Sequence, residues 1–302
     1  MRIAVTGGTG FVGGRLASRL AASGHEVIVV SRRTGQSLRS GDPGLARAFA
    51  GCDAVVHCAG INRELGDQTY QAVHVAGTAA VVAAARQAGV QRLVMLSFLR
   101  ARPDGPTAYH RSKWAAEELV RASGLTYTIL KAGVIHGRGD HMLDHLSRAF
   151  NTFPLFGLVG WQDRPVRPVA VDDVARILEA AVLGDPRLAD TTIAVLGPET
   201  LGLGDAVRRV ARLTGRRPVF VHLPIWVHLV IARLAEGTMR VPLVSRAQVH
   251  ILAEGIVEPL PFADAPPADL TPMTPFSDDT IRAGLPPPGG FGCADLRWSA
   301  AR

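Results

Sequence analysis

The chain has 302 residues, of which 47% are hydrophobic and 20% charged; it can bury one large α/β domain with an added lobe, which excludes a fibrous or disordered polypeptide. A net charge of +7 and a pI near 10.1 raise nucleic acid as a partner, but the cations are nearly all arginines, scattered and without interleaved aromatics, and this excludes a nucleic-acid face. Cys52, Cys58 and Cys293 are an odd set without metal spacing, which suits a reducing cytosol.

Ile3-Ala4-Val5 reads as a short buried strand that already belongs to the fold, so no signal peptide is expected before it. Thr6-Gly7-Gly8-Thr9-Gly10-Phe11-Val12-Gly13 follows and leads into a helical pattern through Arg15, Leu16 and Leu20. A strand that ends in glycines and opens into a helix builds an anion site. Gly7 allows the tight turn, Gly10 lets backbone approach a pyrophosphate, and Gly13 lets helix pack on strand, while the first-turn N–H groups face the phosphates. His25 to Val30 is a second strand, ending in Ser31-Arg32-Arg33. An acid at this point suits the ribose 2′-OH of NAD; two arginines and no acid favour the 2′-phosphate of NADP(H), with NAD as the alternative.

A short helix runs through Leu45 and Phe49, and Ala54 to Gly60 is a third strand with a small Ala59-Gly60 end. The helix Tyr70–Gly89, the strand Arg92–Ser97, the helix Trp114–Ser123 and the strand Thr126–Lys131 continue the alternation. Continuous apolar strands alternating with helices predict a doubly wound parallel sheet covered on both faces.

Four runs carry a family resemblance: Thr6 to Gly13, His57-Cys58-Ala59-Gly60, Tyr109-His110-Arg111-Ser112-Lys113, and Gly133 to Asp140, with Val169 to Ala175 continuing the pattern. The chain resembles the extended or atypical short-chain dehydrogenase/reductases. It has most in common with the branch related to the nucleotide-binding accessory subunit of respiratory complex I, marked by His74 and by Leu201–Glu254 with a Pro-rich tail. The resemblance covers the whole chain, most strongly to about Ala181. It implies a Rossmann core over 1–135 and 166–198, and a smaller, mostly helical lobe over 136–165 and 199–302 that covers the nicotinamide. It also implies a dinucleotide held by Gly7, Thr9, Gly10, Phe11, Val12, Gly13, Arg32, Arg33, Cys58, Ala59, Gly60, Lys113, Lys131 and Val134.

In such proteins a tyrosine exchanges the substrate proton while hydride moves to or from the nicotinamide, and a nearby ammonium favours the phenolate. Tyr109 and Lys113, at i and i+4 leading into a helix, fit that need. Tyr127 and Lys131 share the spacing but sit in a strand, where four residues span roughly 13 Å. Ser97 is the candidate to polarise the carbonyl; aligned on the extended members' serine run, Ser97-Phe98-Leu99 places Leu99 at that position instead. His141, Asp144 and His145 have a spacing that metal sites use, but no third ligand is apparent and no metal is expected.

Further on, Asp172 is placed to cap a helix Asp173–Leu183, and Leu203–Leu213 is amphipathic. The helix that starts at Pro224 is apolar nearly all round and is expected to be buried, with Trp226 in the core. The sharper reading makes it a surface helix with Trp226 in a membrane interface. Ser245 to Gln248 is a capping box, and beyond Pro259 the tail is expected to wrap the lobe.

The expectation is a cytoplasmic NADP(H)-dependent oxidoreductase acting on an unidentified carbonyl or alcohol, with Tyr109, Lys113 and Ser97 as its catalytic set. Two alternatives stay open: a non-catalytic NADPH-binding accessory or sensor protein, and a sugar-nucleotide epimerase or dehydratase. A homodimer and a peripheral membrane contact are open as well.

Overall fold

The apolar runs become strands of one sheet. In the computed structural model, which describes residues 1–38, 43–240, 242–258 and 263–296, the chain divides into two units. Met1–Gly133, Val171–Leu196 and Glu258–Met273 form the first, and Val134–Ala170, Gly197–Val257 and Thr274–Arg302 the second. The return of Glu258–Met273 to the first unit differs from the expected single tail. Its cause is local: the backbone of Asp264 pairs with Thr192 and Ala194 at 2.9 and 2.8 Å, and Arg176 donates to the carbonyls of Asp269, Leu270 and Thr271.

The first unit holds strands β1 (Arg2–Thr6), β2 (Glu26–Val30), β3 (Ala54–His57), β4 (Arg92–Phe98), β5 (Thr126–Ala132) and β6 (Thr191–Val195). They form one six-stranded parallel sheet in the order β6-β5-β4-β3-β1-β2. Helices α1 (Phe11–Ala22), α2 (Pro43–Phe49), α3 (Gly77–Gln87), α4 (Ala108–Arg121) and α5 (Val171–Leu183) belong to the same unit. Both faces are covered, which is why Ile3, Ala4, Val5, Val55, Leu93, Val94, Ile129 and Leu130 can all be fully buried. Leu45 and Phe49 of α2, Val81 and Ala85 of α3 and Val120 of α4 fill one side of that core, each large side chain contributing about 1.5–3 kcal/mol.

The chain leaves β1 for β2 on one side and then crosses to β3 on the other. This reversal opens a crevice beyond the ends of β1 and β3, where open parallel sheets bind ligands. Two helices differ from expectation in ways that matter there. The helix expected over Tyr70–Gly89 begins as a π-helical stretch, Gln71–Ala76, before α3. Helix α4 starts at Ala108, not Trp114, because Thr107 caps it through His110 N–H, so Tyr109 and Lys113 stand on its first two turns. Asp172 lies inside the first turn of α5 and forms an ion pair with Arg15 of α1 instead of capping.

In the second unit a parallel strand pair, Leu155–Val159 with Val219–Leu223, and the helices His141–Thr152, Leu203–Leu213 and Asp278–Gly284 enclose Leu143, Phe150, Leu158, Val210, Phe276 and Ile281. The capping box of Ser245 and Gln248 opens Arg246–Glu254 as expected. Helix Ile225–Thr238 does not bury its apolar surface. His228, Ala232 and Ala235 are its buried residues, while Trp226 is 67% exposed and Leu234 62%. Small side chains seat the helix on its neighbours, and the large ones are left on the outer pole. No helix among the described residues is long and apolar enough to cross a membrane.

Candidate dinucleotide site at the strand ends

The glycine loop follows β1 directly. Gly7 has φ +71°, its N–H donates to Val30 O at 2.8 Å, and its carbonyl accepts from Gly10 N–H at 2.8 Å. A Cβ at Gly13 would lie 2.4 Å from Gly7 O, and one at Gly7 would lie 2.7 Å from Ala59 N. Helix α1 therefore packs backbone to backbone on its own loop, and the loop packs on the end of β3. Gly10 precedes α1 without a side-chain cap, and Gly14 is the residue that closes onto Gly10 O at 2.8 Å. That leaves the N–H groups of Phe11, Val12 and Gly13 outside the helical ladder, an anion cradle that fits a pyrophosphate. Thr9 and Gly10 are exposed at its rim. Arg32 and Arg33 are exposed on a single turn after β2, held in place by Ser31 and Thr34.

Below the loop a buried chain joins three elements. His57 Nδ1 lies 2.7 Å from Thr6 Oγ1, and Nε2 lies 3.0 Å from Thr78 Oγ1. Burial pushes this imidazole down to about 3, so it is neutral at any working pH. The sequence offered a faint signal for it, a polar pair at the ends of two apolar strands. Cys58, next along, is pushed up to about 12 by burial and is an unreactive thiol.

Tyr109 sits in an aromatic cage. Its ring centroid is 5.5 Å from that of Tyr70, 5.5 Å from that of His74 and 5.2 Å from that of Phe98. Tyr70 is fixed by its hydroxyl on Asn62 O at 3.1 Å, and His74 by Ser112 Oγ at 2.8 Å. Burial pushes the Tyr109 phenol above its ordinary value, and burial lowers the His74 imidazole to about 3. Lys113 is buried and donates to Leu96 O at 2.9 Å. Burial lowers it to about 8, with Glu117 and Cys58 opposing. It is still cationic near neutrality, but its ammonium is engaged with the end of β4.

Two expected site residues are elsewhere. Ser97 and Lys131 are register partners on β4 and β5, so their side chains leave the same face of the sheet, under α4. There Ser97 Oγ donates to Glu117 Oε1 at 2.5 Å and Lys131 Nζ to Glu117 Oε2 at 3.1 Å. Lys131 also donates to Ala101 O at 2.8 Å, and Arg121 reaches Glu117 and Thr192. Glu117 and Lys131 are both fully buried. This is a closed ionic cluster that pins α4 to the sheet; neither side chain faces Tyr109. Val134 lies in the second unit, where its carbonyl accepts from Val169 N–H at 2.8 Å. Among the described residues no group of three or more His, Cys, Asp or Glu is placed to hold a metal ion.

Residues 7–142 match a protein family described as NAD(P)H-binding. An uncharacterised protein of Mycobacterium tuberculosis is 29% identical over 74% of this chain, but the chain spans only 24% of that relative's length. A (4-alkanoyl-5-oxo-2,5-dihydrofuran-3-yl)methyl phosphate reductase of Streptomyces griseus is 30% identical, over 74% of this chain and 77% of its own. A ceramide reductase of Caulobacter vibrioides is 29% identical, over 74% and 73%. The solved structure of MoeE5 with UDP-glucose and NAD superposes with a TM-score of 0.62 at 25% identity, covering 74% of this chain and 85% of that one. The chain belongs to the extended short-chain dehydrogenase/reductase family and carries its NAD(P)-binding domain.

Proposed function

We propose that this member of the extended short-chain family is an NADPH-dependent reductase of an apolar carbonyl compound, with Tyr109 as its proton donor. The observation that carries this reading is the cage of Tyr70, His74 and Phe98 around Tyr109, which fixes the phenol one helical turn from Lys113. A protonated phenol is the form that reduction consumes. The N–H groups of Phe11, Val12 and Gly13 hold the pyrophosphate, and Arg32 and Arg33 take the 2′-phosphate. Lys113, cationic below about pH 8, holds the ribose and stabilises the phenolate that Tyr109 leaves behind.

When bound, the nicotinamide supplies the hydride. Tyr109 gives its proton to the carbonyl oxygen as the C–H bond forms, and is reprotonated from solvent. The apolar ring edges of Tyr70 and Phe98 favour a substrate with an apolar body. That two relatives are named as reductases supports the class of reaction.

The test is NADPH consumption over a panel of long-chain ketones and acyl-lactone carbonyls. Tyr109→Phe should abolish turnover at least a hundredfold while NADPH still binds, because the hydroxyl serves the proton and not the phosphates. Full activity in Tyr109→Phe would remove the short-chain mechanism from this protein.

One observation favours a second reading. Ser97 is committed to Glu117, so the carbonyl lacks its usual hydroxyl partner, as suits an accessory protein that holds the nucleotide without turnover. Tight NADPH binding with no consumption on any carbonyl would select it.

A further inference from the structure

Apart from Met1, Leu183 and Met273, the large hydrophobic residues exposed among the described residues all lie in the second unit, between Phe153 and Leu234. Their centre is helix Ile225–Thr238. Its buried line is His228, Ala232 and Ala235; it packs on helix Arg246–Glu254 and on the strand Leu155–Val159, with His228 Nε2 3.3 Å from Gly157 O. At 100° per residue the pole opposite that line carries Trp226, Val230, Arg233, Leu234 and Gly237. Trp226, Leu234 and Val230 are 67%, 62% and 50% exposed. Trp161, 72% exposed, follows Gly160, whose N–H donates to Leu223 O just before the helix begins. At the other end of the strand pair the register partners Leu155 and Val219 are 54% and 62% exposed. Leu155 is on the same face of its strand as Gly157, the face the helix covers.

The outer pole of the helix carries Arg233 and no carboxylate, since Glu236 is turned to Arg246. Arg216 and Arg217 immediately precede the strand of Val219. Both are exposed. Asp205 and Asp278 neutralise Arg208 and Arg212, but Arg216 is bound to the uncharged side chain of Asn151.

We propose that this face of the second unit docks on an anionic lipid surface. Trp161, Trp226, Val230 and Leu234 enter the boundary between headgroups and acyl chains, and Arg216, Arg217 and Arg233 meet the phosphates. Tryptophans at the edge of an apolar stripe suit that boundary, being apolar in body with one N–H for the wet side. A second copy of the chain is a poorer occupant. A two-fold contact sets a patch against itself, and here it would bring arginine to arginine with no carboxylate on the pole to receive them.

The experiment is flotation of the full chain with vesicles of phosphatidylcholine alone or mixed with phosphatidylserine, together with quenching of tryptophan emission by brominated lipid. The unmodified protein should float with the phosphatidylserine vesicles, release as salt is raised, and be quenched. Trp226→Ser with Leu234→Ser should weaken partitioning at least tenfold with an unchanged melting temperature, because both side chains are already in water. Arg216→Ala with Arg217→Ala should erase the preference for phosphatidylserine. Absence of flotation and quenching in the unmodified protein would overturn the proposal. So would equal flotation of the Trp226→Ser, Leu234→Ser variant, or a dimer in light scattering that this variant splits while vesicles bind neither form.

Discussion

Replacing Ser97 by alanine separates two roles that a serine at a strand end can have. If Ser97 polarised the carbonyl, its loss would remove one oxyanion-type donor and cost about 10²–10³ in kcat with little change in stability. The structure gives the opposite expectation. The hydroxyl is buried and donates to a carboxylate that is itself fully buried, at 2.5 Å, and a hydrogen bond to a charged group is worth about 1.5–3 kcal/mol. Lys131 and Arg121 still neutralise Glu117 after the substitution, which keeps the cost at that level and below the 3–5 kcal/mol or so of a broken buried ion pair. Ser97→Ala should therefore melt several degrees lower, at about 2–4 °C for each kcal/mol in a domain of this size. The kcat on the best carbonyl substrate should stay within about threefold of the parent, a difference of under 1 kcal/mol in barrier. Thermal melts and steady-state NADPH consumption on the same preparation decide it. An unchanged melting temperature with a hundredfold loss of kcat would refute the geometry on which the assignment rests.

Two further outcomes follow from other parts of the first unit. Arg32→Ala with Arg33→Ala should weaken NADPH at least tenfold in calorimetric titration and leave NADH nearly untouched; equal affinity of the parent for both nucleotides would contradict the 2′-phosphate assignment. His57 and His74 are both held near 3 by burial, below the ordinary 6.5, so the unfolded chain binds more protons. Stability is full above about pH 6.5 and is lost as pH falls from there toward 3, at about 1.4 kcal/mol per pH unit for each imidazole. Urea titrations from pH 7 to 4.5 should show that slope and a shallower one in His74→Asn; a flat profile in the parent would mean that neither ring is neutral in the fold.

The sheet was legible because its strands are apolar runs, and the glycine turn because it stands directly between an apolar strand and a helical pattern, a context that the spacing of glycines alone does not supply. Tyr109 and Lys113 could be chosen over Tyr127 and Lys131 because helix and strand context decides whether an i, i+4 pair can cooperate. Ser97 and Lys131 were misleading for a physical reason. Their partner Glu117 is 20 positions from one and 14 from the other, and strand register, which sets the face a side chain leaves by, is not written in any local spacing. Trp226 was placed in the core, with an exposed position as the alternative, because a helix apolar all round carries no phase. Only the small residues Ala232 and Ala235 distinguish its seated side, and small residues are common everywhere.

The contact between Gly7 and Ala59 has a consequence for how a nucleotide is received. With backbone against backbone and no side chain between them, the turn after β1 and the end of β3 form one stiff rim, cross-braced from beneath by Thr6, His57 and Thr78. An arriving dinucleotide finds the rim already assembled, and little ordering entropy is spent in closing it. Selection between nucleotides then resides in how slowly the right one departs, while right and wrong ones arrive at similar rates.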